Sequence, residues 1–174
     1  MKRIIIKAAQ VFACILAVTP VCHAADTSPI ITTDISGSDL AFFMGTARES
    51  ALIARLSDLA KTHAVTPEIQ TLAAAISKEQ SDVAARLKSL AARKSVPLPA
   101  EPDGAGRKQL QTLAAISGPR FDKTYLNALS DAQNALDSSL GAGATSTDKD
   151  IMALAQAGQG MLKSERSQLR KLGL

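Results

Sequence analysis

From residue 38 onward the chain sets apolar side chains in alternating steps of three and four, the spacing that lines one face of a helix. The first such stripe, Phe42, Thr46, Glu49, Ile53, Leu56, Ala60 and His63, predicts a helix from about Ser38 to Thr62. The second is Ile69, Ala73, Ile76, Gln80, Val83, Leu87 and Leu90. It opens on Thr66-Pro67-Glu68: a threonine at the N-cap, a proline where a missing N–H costs nothing, and an acid at the positive end of the helix dipole. This helix is expected to run to about Lys94, followed by a stiff extended connector, Ser95-Val96-Pro97-Leu98-Pro99. A short helix is expected from about Gly104 to Ile116, and Gly118-Pro119 interrupts it. The third long helix, from Pro119 to about Leu140, carries Leu126, Leu129, Gln133, Leu136 and Leu140. Residues Gly141 to Ser146 read as a flexible hinge. The fourth long helix, Asp148 to Lys171, carries Ile151, Ala155, Gly158, Leu162, Glu165 and Leu169, with Leu172 next on the same stripe. Strand-like alternation is confined to Ile30–Thr33. The pattern predicts an all-α protein, an up-down four-helix bundle over residues 37–174 with a short extra helix before the third long one.

Each stripe holds a polar residue among apolar ones: Glu49, Gln80, Gln133 and Glu165. Burying an unpaired amide or carboxylate costs on the order of 1–3 kcal/mol, and more when it is charged. The four therefore either meet in one layer or sit where water reaches them. If they meet, two chemistries are open. One is a layer of amide–carboxylate hydrogen bonds that fixes helix register. The other is an all-oxygen cation site drawn from Glu49, Glu79, Gln80, Gln133 and Glu165. Such hard donors suit a weakly held divalent ion such as calcium, magnesium or manganese better than iron or zinc.

The first 24 residues change the picture of charge and compartment. Lys2, Arg3 and Lys7 precede an apolar run from Ala8 to Val18, Pro20 breaks it, and small residues stand at Cys22 and Ala24. This is the layout of a cleavable secretory signal peptide, so we expect cleavage after Ala24 and a periplasmic product with no transmembrane segment left. Residues 25–36, polar and holding Pro29, read as a flexible mature N-terminus. The leader takes three of the 20 Lys+Arg and none of the 16 Asp+Glu, so the +4 charge of the full chain falls nearly to neutrality. A near-neutral domain carries no electrostatic footprint for nucleic acid. Both cysteines, Cys14 and Cys22, lie in the leader, which leaves the mature chain without a disulfide, a thiolate metal site or a cysteine nucleophile. His63 is then its only histidine, too few for a His-rich zinc site.

A run in the third long helix, Gly118-Pro119-Arg120-Phe121-Asp122-Lys123-Thr124-Tyr125, resembles the Gly-x-x-Phe-Asp-x-x-Tyr element of the bacterial secreted family called domain of unknown function 4142. Leu87-Lys88-Ser89-Leu90-Ala91 leading to Pro97-Leu98-Pro99 resembles that family's second-helix exit, and Asp39 with Phe42 its opening. The resemblance spans Asp39 to Leu172 and implies a ferritin-like helical bundle. The family's inward polar residues are replaced here. Its helix-one Glu aligns with Ile53, its Asp-His with Glu79-Gln80, its following His with Gln133, and its last-helix Pro-x-Leu-x-x-His with Gly160 to Glu165. The resemblance thus implies the fold and, with every such His gone, weakens an enzymatic reading.

The remaining candidates have plainer roles. His63 suits the negative end of the first helix. Phe121, Asp122 and Tyr125 are expected to lock the short helix against the bundle rather than to do chemistry. Met44, Met152 and Met161 read as core filler. Lys163, Arg166, Arg170 and Lys171 make the last helix basic and could touch an anionic membrane surface weakly, although cations are expected at a helix C-terminus in any case. The expectation is a periplasmic, non-catalytic bundle without a catalytic residue or a required cofactor, binding an unidentified envelope partner or serving a structural role. The alternative is a metal-binding or redox protein using the carboxylate and amide residues of the core.

Overall fold

The computed structural model describes residues 35–171, and all its regular elements are helices: α1 Gly37–His63, α2 Pro67–Arg93, α3 Gly104–Ala114, α4 Pro119–Ala144 and α5 Lys149–Lys171. The expected leader at 1–24, nearly all of the expected flexible tail at 25–36, and Leu172 lie outside the described residues. Ser36 caps α1 by accepting the Asp39 N–H at 3.1 Å, and Asp103 caps α3 by accepting that of Gly106 at 2.8 Å.

The direction of each helix follows from what its residues meet. Ser77 on α2 donates to Asp58 on α1 at 2.7 Å just past the tight turn between them, so these two run antiparallel. The Tyr125 hydroxyl meets Ser57 at one end of α4 and Gly143 meets the Phe42 ring at the other, so α4 is antiparallel to α1. Gly158 lies on Leu140 and Glu165 on Gln133, which sets α5 antiparallel to α4. Gln80 with Glu165, and Arg93 with Asp150 at the far end, set α5 antiparallel to α2. Up-down alternation therefore holds within each pair, α1/α2 and α4/α5, while α2 and α4 point the same way across the diagonal. The segment between them must return the chain along the length of the bundle. It does so on the outside of α1, with Asp103 beside Arg48, Gly106 against Leu52, and Leu110 and Ala114 beside Arg55 and Leu59. Four long helices joined through one crossover is a known bundle architecture.

α1 is consequently enclosed by α2, α3 and α4, and it buries residues well beyond one stripe: Phe43, Ala47, Ser50, Leu52 and Ser57 as well as Phe42, Ile53, Leu56 and Ala60. Glu49, expected inward, is only half-buried, and its neighbour Ser50 takes the inward place. The single-stripe reading fails here because a helix covered on three sides has no polar face to pattern against.

The expected hinge at Gly141–Ser146 is a second correction, since α4 continues through Ala144. Its glycines serve packing. A side chain on Gly143 would run into the Phe42 ring, so the bare backbone is what lets α4 close on α1. Gly143→Ala therefore destabilises the bundle by about 1–3 kcal/mol through overpacking, less up to ~1 kcal/mol of improved helix propensity, as read by urea unfolding. A third correction concerns Thr66, which stands at the N-cap of α2 but makes no side-chain cap bond there; its hydroxyl is used elsewhere. The short helix also ends two residues early, at Ala114.

Candidate functional site

The interior polar residues do converge, from three helices. Glu165 on α5 is fully buried, as is Gln80 on α2, and Gln133 on α4 is nearly so. Gln133 Nε2 donates to Glu165 Oε2 at 2.7 Å, and Gln80 Nε2 donates to Glu165 Oε1 at 3.2 Å. Each carboxylate oxygen thus receives one amide N–H, and one side chain ties α2, α4 and α5 together at a single level. Among the described residues Glu165 faces no cation. Arg166, next along α5, turns instead to Asp137 at 3.1 Å, to the Gln133 carbonyl and to Asn134. Burial is the main cause that pushes the Glu165 carboxyl up to about 7, and the half-buried Glu79 adds to it by repulsion, while the bonds from Gln133 and Gln80 pull the other way.

Glu49 is not part of this layer. Its surroundings are Asp103 and Arg48 on the crossover side of α1, and burial followed by the Asp103 charge raises its carboxyl. Ile53, fully buried, stands where the resemblance puts a helix-one glutamate. The five candidate ligands therefore divide: Gln80, Gln133 and Glu165 meet, Glu79 stands beside them, and Glu49 is elsewhere. Among the described residues no three His, Cys, Asp or Glu side chains cluster as a metal site would require. The donor chemistry agrees, because both glutamines present N–H to the carboxylate rather than a carbonyl oxygen to a shared centre. Gln80 Oε1 is buried with no donor reaching it.

The aromatic motif forms a second buried cluster at the end of the bundle where α4 begins. Asp122, in the first turn of α4, accepts the backbone N–H of Val65 at 3.0 Å and of Thr66 at 3.1 Å, and the Thr66 hydroxyl at 2.5 Å. It thereby fastens the turn between α1 and α2, not the short helix as the sequence suggested. Gly118, at φ 70°, supplies the left-handed backbone from which α4 starts. Phe121 stacks between His63, 5.5 Å away, and Tyr125, 6.3 Å away. His63 also brings Nδ1 to the Leu59 carbonyl at 3.1 Å, as suits a ring at a helix C-terminus. Tyr125 shares a 3.1 Å hydrogen bond with Ser57, and burial raises its hydroxyl to about 12, beyond any role as a base near neutrality. Tyr125→Phe leaves Ser57 buried without its partner and costs about 1 kcal/mol, with no change in helix content by circular dichroism. Ser50 and Ser57 gave no sequence signal, because a serine at an inward position is indistinguishable from small-residue filler.

These features define a class: a helical bundle with one crossover, an aromatic-acid clasp over its first turn, and an amide–carboxylate layer at its centre. Residues 24–172 match the sequence profile of the family described as domain of unknown function 4142, and the chain belongs to that family. No curated protein and no solved structure matches the chain.

Proposed function

We propose that this chain is a periplasmic, ferritin-like bundle without catalytic activity of its own, serving a binding or structural role in the cell envelope. One observation carries the non-catalytic part: both oxygens of Glu165, the only fully buried carboxylate among the described residues, accept amide N–H donors. A layer arranged this way fixes the register of three helices. The crossover between α2 and α4 supports the ferritin-like reading, since that fold uses one such connection. The periplasmic part rests on the leader-like sequence of residues 1–24. Fractionation with N-terminal mass analysis tests it, with a mature chain starting at Ala25 expected.

The basic last helix offers less to a membrane than its sequence implied. Arg166 is committed to α4, which leaves Lys163, Arg170 and Lys171 exposed. No described helix is long and apolar enough to cross a membrane. Elemental mass spectrometry on the untagged protein from its own compartment is the test of the core. No stoichiometric metal is expected, and no thermal stabilisation by added calcium, magnesium or manganese. A metal that Glu165→Ala and Gln133→Ala remove would establish the alternative, a cation site in the core.

A further inference from the structure

We propose that the Gln80–Glu165–Gln133 layer is a proton-operated latch, holding the C-terminal half of α5 on α2 and α4 when Glu165 is protonated and releasing it when Glu165 is charged. The inference rests on the reading of the layer as a hydrogen-bonded one. Its geometry begins with the grip of α5 on the bundle. α5 buries Ile151, Ala155, Gly158, Leu162 and Glu165, and nothing after Glu165 is fully buried. Glu165 is thus the last anchor of the helix, and the six described residues beyond it are held only by partial contacts. That final anchor is an acid in an environment with no compensating cation, which favours the neutral form.

The layer is also built to receive the proton. Gln80 Oε1 is a buried acceptor without a donor, on the same amide whose nitrogen lies 3.2 Å from Glu165 Oε1. A proton on Glu165 removes the uncompensated buried charge and leaves each carboxyl oxygen able to accept the glutamine N–H it already faces. The O–H it creates also places a donor in the same layer as the unpaired Gln80 Oε1.

Every facing group bears on the sign. α2 presents Glu79, whose negative charge opposes ionisation of Glu165, and the neutral Gln80. α4 presents the neutral Gln133 and Tyr125, the latter protonated throughout the range below pH 11. α1 contributes the uncharged Ser57 behind Tyr125. On α5 itself, Arg166 is drawn away to Asp137. Charging Glu165 therefore loosens the end of α5, which lies beside Leu126 of α4 on one side and Leu72 and Ala75 of α2 on the other, uncovering apolar surface of α2 and α4.

Hydrogen exchange by mass spectrometry on the mature protein, in EDTA at pH 5.5, 7.0 and 8.5 and corrected for intrinsic rates, tests the latch. The expected result is an opening equilibrium for residues 160–171 that rises by up to about thirtyfold from pH 5.5 to 8.5, while α1 stays constant. Glu165→Gln holds the segment closed at all three values. Glu79→Gln, which keeps the latch intact, removes a repulsion that raises the Glu165 midpoint, so the segment opens at lower pH than in the parent. Protection of 160–171 that is flat with pH in the parent, or an unmoved midpoint in Glu79→Gln, overturns the latch. Protection that collapses in EDTA and returns with a divalent ion contradicts instead the hydrogen-bonded reading on which the latch rests.

Discussion

Asp122→Ala lowers the stability of the bundle by about 2–4 kcal/mol, because three hydrogen bonds to one buried carboxylate are lost together and such bonds are roughly twice as strong as neutral ones. The backbone N–H groups of Val65 and Thr66 lie in a three-residue turn and have no helical partner to fall back on. The substitution also removes the acid from the first turn of α4, where the dipole favours it. Thermal unfolding should show a midpoint lower by roughly 5–15 °C for a domain of this size. Asp122→Asn, which keeps one acceptor oxygen, falls between the two. An alanine variant within about 0.5 kcal/mol of the parent would mean that the clasp is not what holds the turn.

Raising the pH from 5 to 9 costs the protein up to about 3 kcal/mol through Glu165 alone. The sign follows from the direction of the shift. The folded-state carboxyl sits near 7 against an ordinary 4.5, so the native state binds the proton more tightly than the unfolded chain does. The stabilisation is complete below about pH 4.5 and is lost as pH rises through 7. Glu49, raised mainly by burial, acts in the same sense. Asp58 and Asp148 act in the opposite sense: at Asp58 desolvation is outweighed by Lys61, Ser77 and Arg55 together, and at Asp148 the hydrogen bond from Lys94 leads, but their contribution is lost only on acidification through and below the ordinary aspartate range. Between pH 5 and 9 Glu49 therefore adds to the Glu165 effect, and Glu165→Gln isolates the Glu165 part. Urea unfolding should give similar stabilities for the two proteins near pH 5 and a more stable variant, by about 1–3 kcal/mol, near pH 9. Parallel pH profiles would show that Glu165 does not titrate in this range.

How much of this was legible depended on how many neighbours each helix has. α2, α4 and α5 each bury one dominant face whose centre their stripes name, including Gln80, Gln133 and Glu165, although the flanking buried positions such as Leu72, Ala128 and Ala132 fall outside the stripes. Only Val83, Leu126 and Leu169 among the described stripe residues are less than fully buried. α1 is covered on three sides, so periodicity lost its meaning there and Glu49 was placed inward in error. The glycines near the end of α4 misled for a different reason. Glycine signals either a turn or a close approach of backbones, and only the position of Phe42 decides between them. The crossover was not read from the sequence, because helix direction is a tertiary property that no local pattern encodes. Spacing could show that three polar residues point inward. It could not show that they share one level, nor which end of each amide meets the carboxylate.

The orientation of those two amides is the centre of the account, and side-chain amide NMR tests it most directly. In a nitrogen–proton spectrum at pH 6, the Nε2 protons of Gln80 and Gln133 should exchange slowly with solvent and stay unbroadened when manganese chloride is added, as bonded donors buried around Glu165. Fast exchange of both pairs, or their selective broadening by stoichiometric manganese, would place the carbonyl oxygens on a cation and contradict the hydrogen-bonded layer.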